Sequence, residues 1–340
     1  MVKPSLLNPR CARCPSNQDL KSCTGCKVQQ YCSETHQRED WTNHKKDCKS
    51  IKKSRMRLEE AIQEHPNDPS FNTAPLSLRS TYITYRSNLI DSLMKIHTKD
   101  SVSEALEHGM IIVKSSTGII GLDPVETIET RDLVPFLMIR LEQDQEAYDY
   151  VRGRINMQVD PSSPFSRLFA HQSMGPKVST YDVFESVDQL CSMPLISSLV
   201  AGVLLKVKFL IDLTNLKLIQ DLNQKIPQEI IDRIKFTSLK SQLIFQKKKL
   251  ILKDNWDLEI KLMIKHIKQL KKEIDLINPK FFVEFFDIKK GESIQDWLPP
   301  HKCRCGPNQD IDEQMQLVFR YSCDAWKGVE GAVEVMKNFL

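Results

Sequence analysis

The N-terminal part of the chain holds eight side chains of the types that bind transition metals. Their spacing reads C-x2-C-x8-C-x2-C-x5-C-x3-H-x7-H-x3-C, over Cys11, Cys14, Cys23, Cys26, Cys32, His36, His44 and Cys48. A closed tetrahedral site takes four protein ligands, so eight residues suffice for two sites. Thiolate and imidazole ligands together suit zinc. Because the whole chain has only 10 Cys and 8 His, the sequence predicts two structural Zn²⁺ ions here.

Other uses of these cysteines fit less well. Disulfides belong to secreted proteins, and the N-terminal residues MVKPSLLNPR contain no apolar stretch of the kind a signal peptide has. A redox C-x-x-C pair is expected near a βαβ pattern, which the sequence does not show. A catalytic zinc leaves one position open, whereas these residues divide into two full sets of four. We therefore expect reduced thiols, a cytoplasmic or nuclear protein and no transmembrane segment.

The residues between the ligands resemble a known family. The stretch CTGCKVQQYCSETHQREDWTNHKKDC closely resembles the MYND finger, which has two C-x-x-C knuckles followed by short paired motifs. In this chain the motifs are Tyr31-Cys32, His36-Gln37, Asp40-Trp41, His44-Lys45 and the final Cys48. The family more often has Cys where this chain has His36, and His is a competent ligand. The resemblance covers residues 11–48.

Family membership implies a cross-braced pairing of the ligands. One site would take Cys11, Cys14, Cys32 and His36, and the other Cys23, Cys26, His44 and Cys48. The spacing by itself leaves sequential pairing open, with one all-cysteine site and one site of two cysteines and two histidines. The pairs Cys32/His36 and His44/Cys48 each fit one helical turn. Ser33 and Thr42 are placed to cap two short helices there.

The resemblance also implies a binding function. MYND fingers bind short proline-containing peptides, often of PxLxP type, in a shallow groove beside the second knuckle. Matched to the family motif, Thr24 lies in the knuckle and Gln37 and Trp41 lie on the groove helix. Residues 28–30 would offer an edge strand. A plainer interpretation of Trp41 is that it only covers the zinc sites.

The net charge argues against nucleic-acid binding through bulk charge. The formal charge of +4 falls to about +2 when each of two sites holds three thiolates against one Zn²⁺. One basic run, over residues 45–57, has only Asp47 opposing it and comprises Lys45, Lys46, Lys49, Lys52, Lys53, Arg55 and Arg57. We interpret it as the solvated face of a helix, with a nuclear-import or nucleic-acid patch as the alternative.

The rest of the chain shows helical periodicity and little glycine. The predicted fold is a small cross-braced two-zinc MYND finger followed by a mainly α-helical region, for which solenoid-like packing is one arrangement. The predicted divisions are a finger at 1–50, a basic helix end and Pro-rich linker at 51–75, a helical region at 76–153, a loop or linker at 154–180, and a helical region with a mixed tail at 181–340.

Individual elements follow from periodicity and capping residues. We predict a helix with Tyr82, Tyr85, Leu89, Leu93 and Ile96 on one face, and one opened by a Ser101/Glu104 capping box, with Ala105, Leu106, Met110 and Val113 inward. Two helices are predicted over 124–153, with Pro135 in a first turn and Gly153 as a C-terminal cap. Residues 281–286 are predicted to form a short strand or a buried helix, and residues 324–340 are predicted to form a final helix.

The segment 132–153 resembles one that follows the finger in uncharacterised fungal MYND proteins. We interpret its Arg140, Asp144 and Tyr148 as a buried helix–helix contact rather than an active site. The apolar run 195–205 is about half the ~20 residues that a membrane span needs, so it predicts a buried helix.

The one enzyme class that commonly carries this finger is the SET-MYND lysine methyltransferases, and the sequence departs from them. Their finger interrupts the SET domain, whereas here ten residues precede it. Their Asn-His-x-Cys signature is absent, because Asn43-His44 lies inside the finger, and CRC (303–305) precedes YSC (321–323) in reversed order. We expect the protein to be an adaptor that binds proline-containing protein segments, and not an enzyme. A nucleic-acid-associated factor that uses residues 45–57 is the alternative. Cys303, Cys305 and Cys323, with His301, are candidates for a third metal site.

Overall fold

The computed structural model describes residue 7 and residues 9–64, 76–115, 124–154, 181–192, 195–221, 226–287 and 311–340. The Pro-rich part of the predicted linker, most of the predicted loop 154–180, and His301, Cys303 and Cys305 lie outside the described residues. The described residues form two compact units, the first ending at Leu137 and the second beginning at Met138. The predicted domain divisions stay a prediction.

The first unit contains the finger and a group of helices. Its two short antiparallel strands pair Lys21 with Tyr31 and Ser22 with Gln30. The elements are β1 (Lys21–Ser22), β2 (Gln30–Tyr31), α1 (Glu34–Glu64), α2 (Leu76–Leu93), α3 (Lys99–Ser115) and α4 (Pro124–Arg140), whose last residues belong to the second unit. Helices α1, α2 and α3 pack in sequence order.

Helix α1 replaces the two short helices predicted around the last ligands. It runs unbroken from Glu34 to Glu64, because nothing in this stretch is Gly or Pro and every turn can complete its backbone hydrogen bonds. Ser33 caps it as predicted, since its Oγ accepts a hydrogen bond from the His36 N–H at 3.2 Å. Thr42 lies inside the helix and caps nothing. One helix therefore carries ligands for both predicted sites.

The start of α3 also differs from its prediction. Thr98 Oγ1 accepts from the Ser101 N–H at 3.2 Å, and Ser101 Oγ accepts from the Thr98 N–H at 3.3 Å. This reciprocal cap lies one turn before the predicted Ser101/Glu104 box. Glu104 is therefore not part of the cap, and its carboxylate pairs with Arg55 of α1. The predicted inward positions are buried at Ala105, Leu106 and Val113, and Met110 is partly exposed.

The two helices predicted over 124–153 are present, but their ends differ. Pro135 lies inside α4 rather than in a first turn, and Pro124 begins that helix. Gly153 is the last residue of α5 (Asp144–Gly153), and the cap residue after it, Arg154, is right-handed. Gly153 thus supplies no left-handed C-terminal cap.

The second unit is built around one long buried helix. Its helices are α5 (Asp144–Gly153), α6 (Asp188–Ser192), α7 (Ile196–Asp221), α8 (Gln228–Ser238), α9 (Gln242–Gln246), α10 (Lys248–Ile251), α11 (Asp257–Ile277), α12 (Phe281–Asp287), α13 (Ile311–Gly328) and α14 (Ala332–Lys337). Helix α7 packs along α11 and contacts α5, α6, α8, α13 and α14. The solenoid-like arrangement is not confirmed.

Two predictions at the C-terminal end are resolved. Residues 281–286 form the helical alternative, with Phe281, Phe282 and Phe285 buried. The single helix predicted over 324–340 is wrong. Helix α13 ends at Gly328 and α14 begins at Ala332, because Gly331 has φ of +84° and turns the chain between them. The predicted helix 195–205 is confirmed as part of α7.

Charged residues of α7 lie in the core. Lys208 Nζ lies 2.8 Å from both carboxylate oxygens of Asp144, which is fully buried. Asp212 accepts from the N–H groups of Lys240 and Ser241, and burial raises its pKa to about 6. Arg140 pairs with Asp324, and Tyr148 donates to Glu185. Arg140, Asp144 and Tyr148 therefore each pair with a different residue, and their structural role stays a prediction. Within the described residues no helix is both long and apolar enough to span a bilayer.

We predict that Lys208→Met destabilises the second unit by about 3–5 kcal/mol, because it strands the Asp144 carboxylate in the interior. Denaturant unfolding followed by circular dichroism measures the loss. Lys217→Met on the same helix is the matched control, since its ion pair with Asp257 is about half exposed, and solvent screening should leave it little effect on stability. Equal losses for the two variants would contradict the prediction.

Candidate metal centre

The structure brings the eight candidate ligands together in two groups of four. In each group the potential ligand atoms all lie within 4.8 Å of one another. The groups are Cys11, Cys14, Cys32 and His36, and Cys23, Cys26, His44 and Cys48. This is the cross-braced pairing, because each group joins one C-x-x-C knuckle to one pair from the β2–α1 segment. Sequential pairing, which the spacing had left open, is not the arrangement of the structure.

The distances fit tetrahedral zinc. A tetrahedral ion with Zn–S bonds of about 2.3 Å and Zn–N bonds of about 2.0–2.1 Å places two sulfurs about 3.8 Å apart and sulfur and nitrogen about 3.6 Å apart. In the first group, Cys14 Sγ and Cys32 Sγ are 3.6 Å apart, and His36 Nδ1 lies 3.5 Å from Cys11 Sγ and 3.1 Å from Cys32 Sγ. The group is therefore already close to coordination geometry.

The second group has the same geometry and is more deeply buried. Cys23 Sγ and Cys48 Sγ are 3.8 Å apart, and Cys26 Sγ lies 3.4 Å from His44 Nε2. All four residues are buried, whereas only Cys11 of the first group is. The two histidines turn different ring nitrogens to their groups, Nδ1 of His36 and Nε2 of His44. The two clusters, each of three Cys and one His, fit two zinc ions.

Backbone geometry shapes the second knuckle. The Lys27 N–H donates to the Cys23 carbonyl at 2.7 Å, and Lys27 has φ of 63°, a left-handed conformation that closes the turn. A Cβ placed on Gly25 would lie 2.7 Å from Cys48 Sγ. No side chain fits at that distance, so the glycine between the two cysteines is required for Cys48 to reach the site.

Polar contacts attach the second site to the neighbouring helices. Arg55 of α1 donates Nε and Nη2 to the two carboxylate oxygens of Glu104 on α3, at 2.7 and 2.6 Å. Its Nη1 donates to the carbonyl of the ligand Cys26 at 2.5 Å. The sequence placed Arg55 in a solvated basic run, and the structure removes it from that run. No sequence signal identified this role, since Arg55 and Glu104 are 49 positions apart.

The expected edge at residues 28–30 is already engaged inside the chain. The carbonyl of Val28 accepts from Thr98 Oγ1 at 2.8 Å, that of Gln29 from the Cys23 N–H, and that of Gln30 from the Ala12 N–H. The other edge of the two-stranded sheet, along β1, differs. Because residues 23 and 29 form a bonded pair, the N–H and C=O of Ser22 point away from β2. Neither group has a partner among the described residues, and the Ser22 side chain is exposed.

The three residues predicted to contact a peptide are placed differently around the second site. Trp41 is 40% exposed, and its ring meets the edge of the ligand His44 at a centroid distance of 6.4 Å. Thr24 is exposed and Gln37 is half-buried. Tyr31 is buried, and its OH donates to Asp40 at 2.8 Å. Trp41 thus touches the second site without being enclosed by it.

Comparison with known families agrees with this geometry. The family model of the MYND finger matches residues 11–48, the stretch that contains both clusters. Neither a curated protein nor a solved structure matches the chain. The chain therefore carries a MYND finger at residues 11–48, followed by a mostly helical remainder.

We predict about two Zn²⁺ per chain, because each cluster offers four ligands at coordination distance. Elemental analysis of the purified full-length chain measures the ratio, and thiol titration with and without a chelator should release six additional thiols on chelation. Zinc contributes roughly 10–16 kcal/mol to the folding of small fingers. A well-folded preparation with one zinc or none would contradict the two-site assignment.

Gly25→Ala should weaken the second site selectively, because the added methyl group meets Cys48 Sγ. We expect roughly a 10–100-fold lower zinc affinity at one of two sites, the range seen when residues supporting metal ligands are changed. Competition against a chromophoric chelator resolves the two affinities. Thr24→Ala is the control, since Thr24 is next to Gly25 in the same knuckle and its side chain is exposed, and both affinities should match the wild type.

Proposed function

We propose that the chain is an adaptor whose finger docks a short proline-containing segment of a partner protein. MYND fingers in general are protein-interaction modules, and the match to that family supports this class of function. The observation that carries the finer proposal is Trp41, a large aromatic ring that stays 40% exposed although it lies against a zinc ligand. A ring anchored in this way offers a rigid apolar surface at little cost in side-chain entropy.

The surroundings of Trp41 supply the other contacts that an extended peptide needs. A proline ring stacks well on an indole face, and a peptide in polyproline conformation loses little chain entropy on binding. Gln37 lies one helical turn before Trp41 and can hydrogen-bond a peptide backbone. The outward N–H and C=O of Ser22 offer a pairing edge, in place of residues 28–30. We infer that Thr24, Gln37 and Trp41, with Ser22, form the docking surface.

The proposed surface is small and shallow, so binding should be weak. A dissociation constant on the order of micromolar or higher corresponds to the limited area that one finger can bury. Partners of PxLxP type are the proposed ligands. A cytoplasmic or nuclear location is part of the proposal. The six ligand cysteines must stay as thiolates and form no disulfides, and this requires a reducing compartment.

We propose a binding role and no catalysis, and S-adenosylmethionine provides the test. Isothermal titration at micromolar concentrations should show no heat of binding to the zinc-loaded chain. A saturable signal would favour a methyltransferase instead. Removal of the finger's zinc in a parallel titration would show whether such a signal arises from the finger.

A nucleic-acid-associated role is the second candidate, because most of the basic run is solvent-exposed on α1. Binding of that kind loses affinity steeply as salt rises, since it depends on counterion release from phosphates. Peptide docking through Trp41 should depend on salt far less. The salt dependence of binding therefore separates the two candidates.

Trp41→Ala should abolish binding of Pro-x-Leu-x-Pro peptides while both zincs stay bound, because the ring provides the stacking surface and no ligand atom. Fluorescence anisotropy with labelled peptides measures the affinity, and metal analysis checks the fold. Trp41→Phe should restore part of the affinity. Leu258→Ala, which removes a 78% exposed side chain from α11, is the control and should bind as the wild type does.

If no proline-containing peptide shows Trp41-dependent binding, and RNA or DNA binds with a steep salt slope, the nucleic-acid role replaces this proposal. Cys32→Ala gives a further comparison. It should lose peptide binding together with zinc, whereas Trp41→Ala should lose peptide binding alone.

A further inference from the structure

Helix α1 carries a basic stripe beside the proposed docking surface. We call it the lysine face; it consists of the exposed residues Lys45, Lys46, Lys49, Lys52, Lys53 and Arg57. None of them forms an ion pair with another described residue. Arg55, the seventh cation of the run, is turned inward to Glu104 and does not belong to this face. The lysine face is therefore a set of positive charges without internal compensation.

These charges repel one another along the helix. Side chains three or four positions apart are neighbours on a helix surface, and like charges at that spacing destabilise it. Lys49 has four such neighbours, at positions 45, 46, 52 and 53. The only acidic residue within the run, Asp47, lies on another side of the helix, two residues from Lys45 and Lys49. A bound anionic group would relieve this repulsion, so the face favours an acidic ligand.

The lysine face lies along the same side of α1 as Trp41. Lys45, Lys49 and Lys52 follow Trp41 at helical spacings of four, eight and eleven residues, which keep them on its side of α1. At 1.5 Å per residue they lie about 6, 12 and 17 Å from Trp41 along the helix axis. An extended peptide covers these distances with roughly two to five residues. A ligand held at Trp41 can therefore place its flank over the lysines.

We propose that the partner segment combines a proline-containing core, held at Trp41, with an acidic flank of Asp or Glu residues two to five positions away, held by the lysine face. This inference rests on the proposed docking function and adds the chemistry of the ligand outside the core. The flank supplies specificity and faster association, which charge complementarity typically provides.

An acidic peptide fits the face better than a nucleic acid does. The metal-loaded chain has a net charge of only about +2, derived from the formal +4, so its long-range field is weak. The cations form a single stripe on one helix. Met56, 48% exposed, interrupts the stripe with an apolar group. A stripe of this kind matches a single extended acidic segment that continues from an apolar core.

The test uses the zinc-loaded full chain and three labelled peptides with one Pro-x-Leu-x-Pro core. One peptide has neutral Gly/Ser flanks, one has four Glu residues before the core, and one has them after it. Anisotropy at low salt should show one acidic peptide binding roughly tenfold tighter than the neutral one, since several exposed charge pairs contribute modestly each. The gain should shrink at 0.5 M salt because these charges are screened.

Lys49→Glu should remove most of this gain and leave the affinity for the neutral peptide unchanged. The substitution replaces four repulsive neighbour pairs by attractive ones, so the helix should not be weakened. Lys268→Glu, the same charge change at an exposed position of α11, is the matched control and should keep most of the gain. Trp41→Ala should lose all three peptides.

The outcomes separate this inference from the docking proposal. If the neutral peptide binds through Trp41 and neither acidic peptide binds tighter, the inference is wrong and the docking proposal stands. If no peptide binds, both fail. If Trp41→Ala keeps the acidic peptide, the lysine face is a separate anion surface and the combined ligand is refuted. Tighter, Trp41-independent binding of an RNA or DNA oligonucleotide of equal charge would assign the face to nucleic acid.

Discussion

Metal coordination by crossed ligand pairs is the constraint on which the finger depends. The finger has only two strands of two residues each, and few of its apolar side chains are buried. Hydrophobic burial on that scale cannot offset the entropy of ordering the chain. Each cluster instead ties a knuckle to the β2–α1 segment. The crossed pairing makes the two sites interdependent, because neither knuckle can move without displacing ligands that share one helix.

Helix α1 transmits this order to the rest of the first unit. Its first half carries three of the ligands and its second half packs with α2, so the finger and helices form one continuous structure. Arg55 closes the connection by bonding Glu104 of α3 and the carbonyl of the ligand Cys26. An independently folded finger on a flexible tether would not need these contacts. Loss of zinc should therefore loosen α2 and α3 as well.

The proposed binding surface arises from what these contacts leave uncovered. Thr98 and Ala12 occupy backbone groups of the segment 28–30, and Arg55 is withdrawn to Glu104, which leaves Trp41, the edge at Ser22 and the lysines to solvent. The proposed binding surface thus consists of the groups that these internal contacts leave exposed. The same helix carries the ligands His44 and Cys48 as well as Trp41 and Lys49, so zinc binding and ligand recognition depend on one rigid element.

Sequence by itself determined the ligand set, the MYND finger at residues 11–48 and the predominance of helix, because metal spacing and hydrophobic periodicity are local patterns. It misplaced the cap of α3, the role of Pro135 and the break at Gly331, because the structure at such positions depends on tertiary packing as well as on the local residue types. The spacing left the pairing of the ligands open, and the cross-braced pairing that the family resemblance implied is the one in the structure. The partners of Arg55 and Lys208 and the free edge at Ser22 were decided only by the tertiary structure. Each joins groups far apart in sequence or depends on which surfaces the fold covers, and no local pattern encodes that.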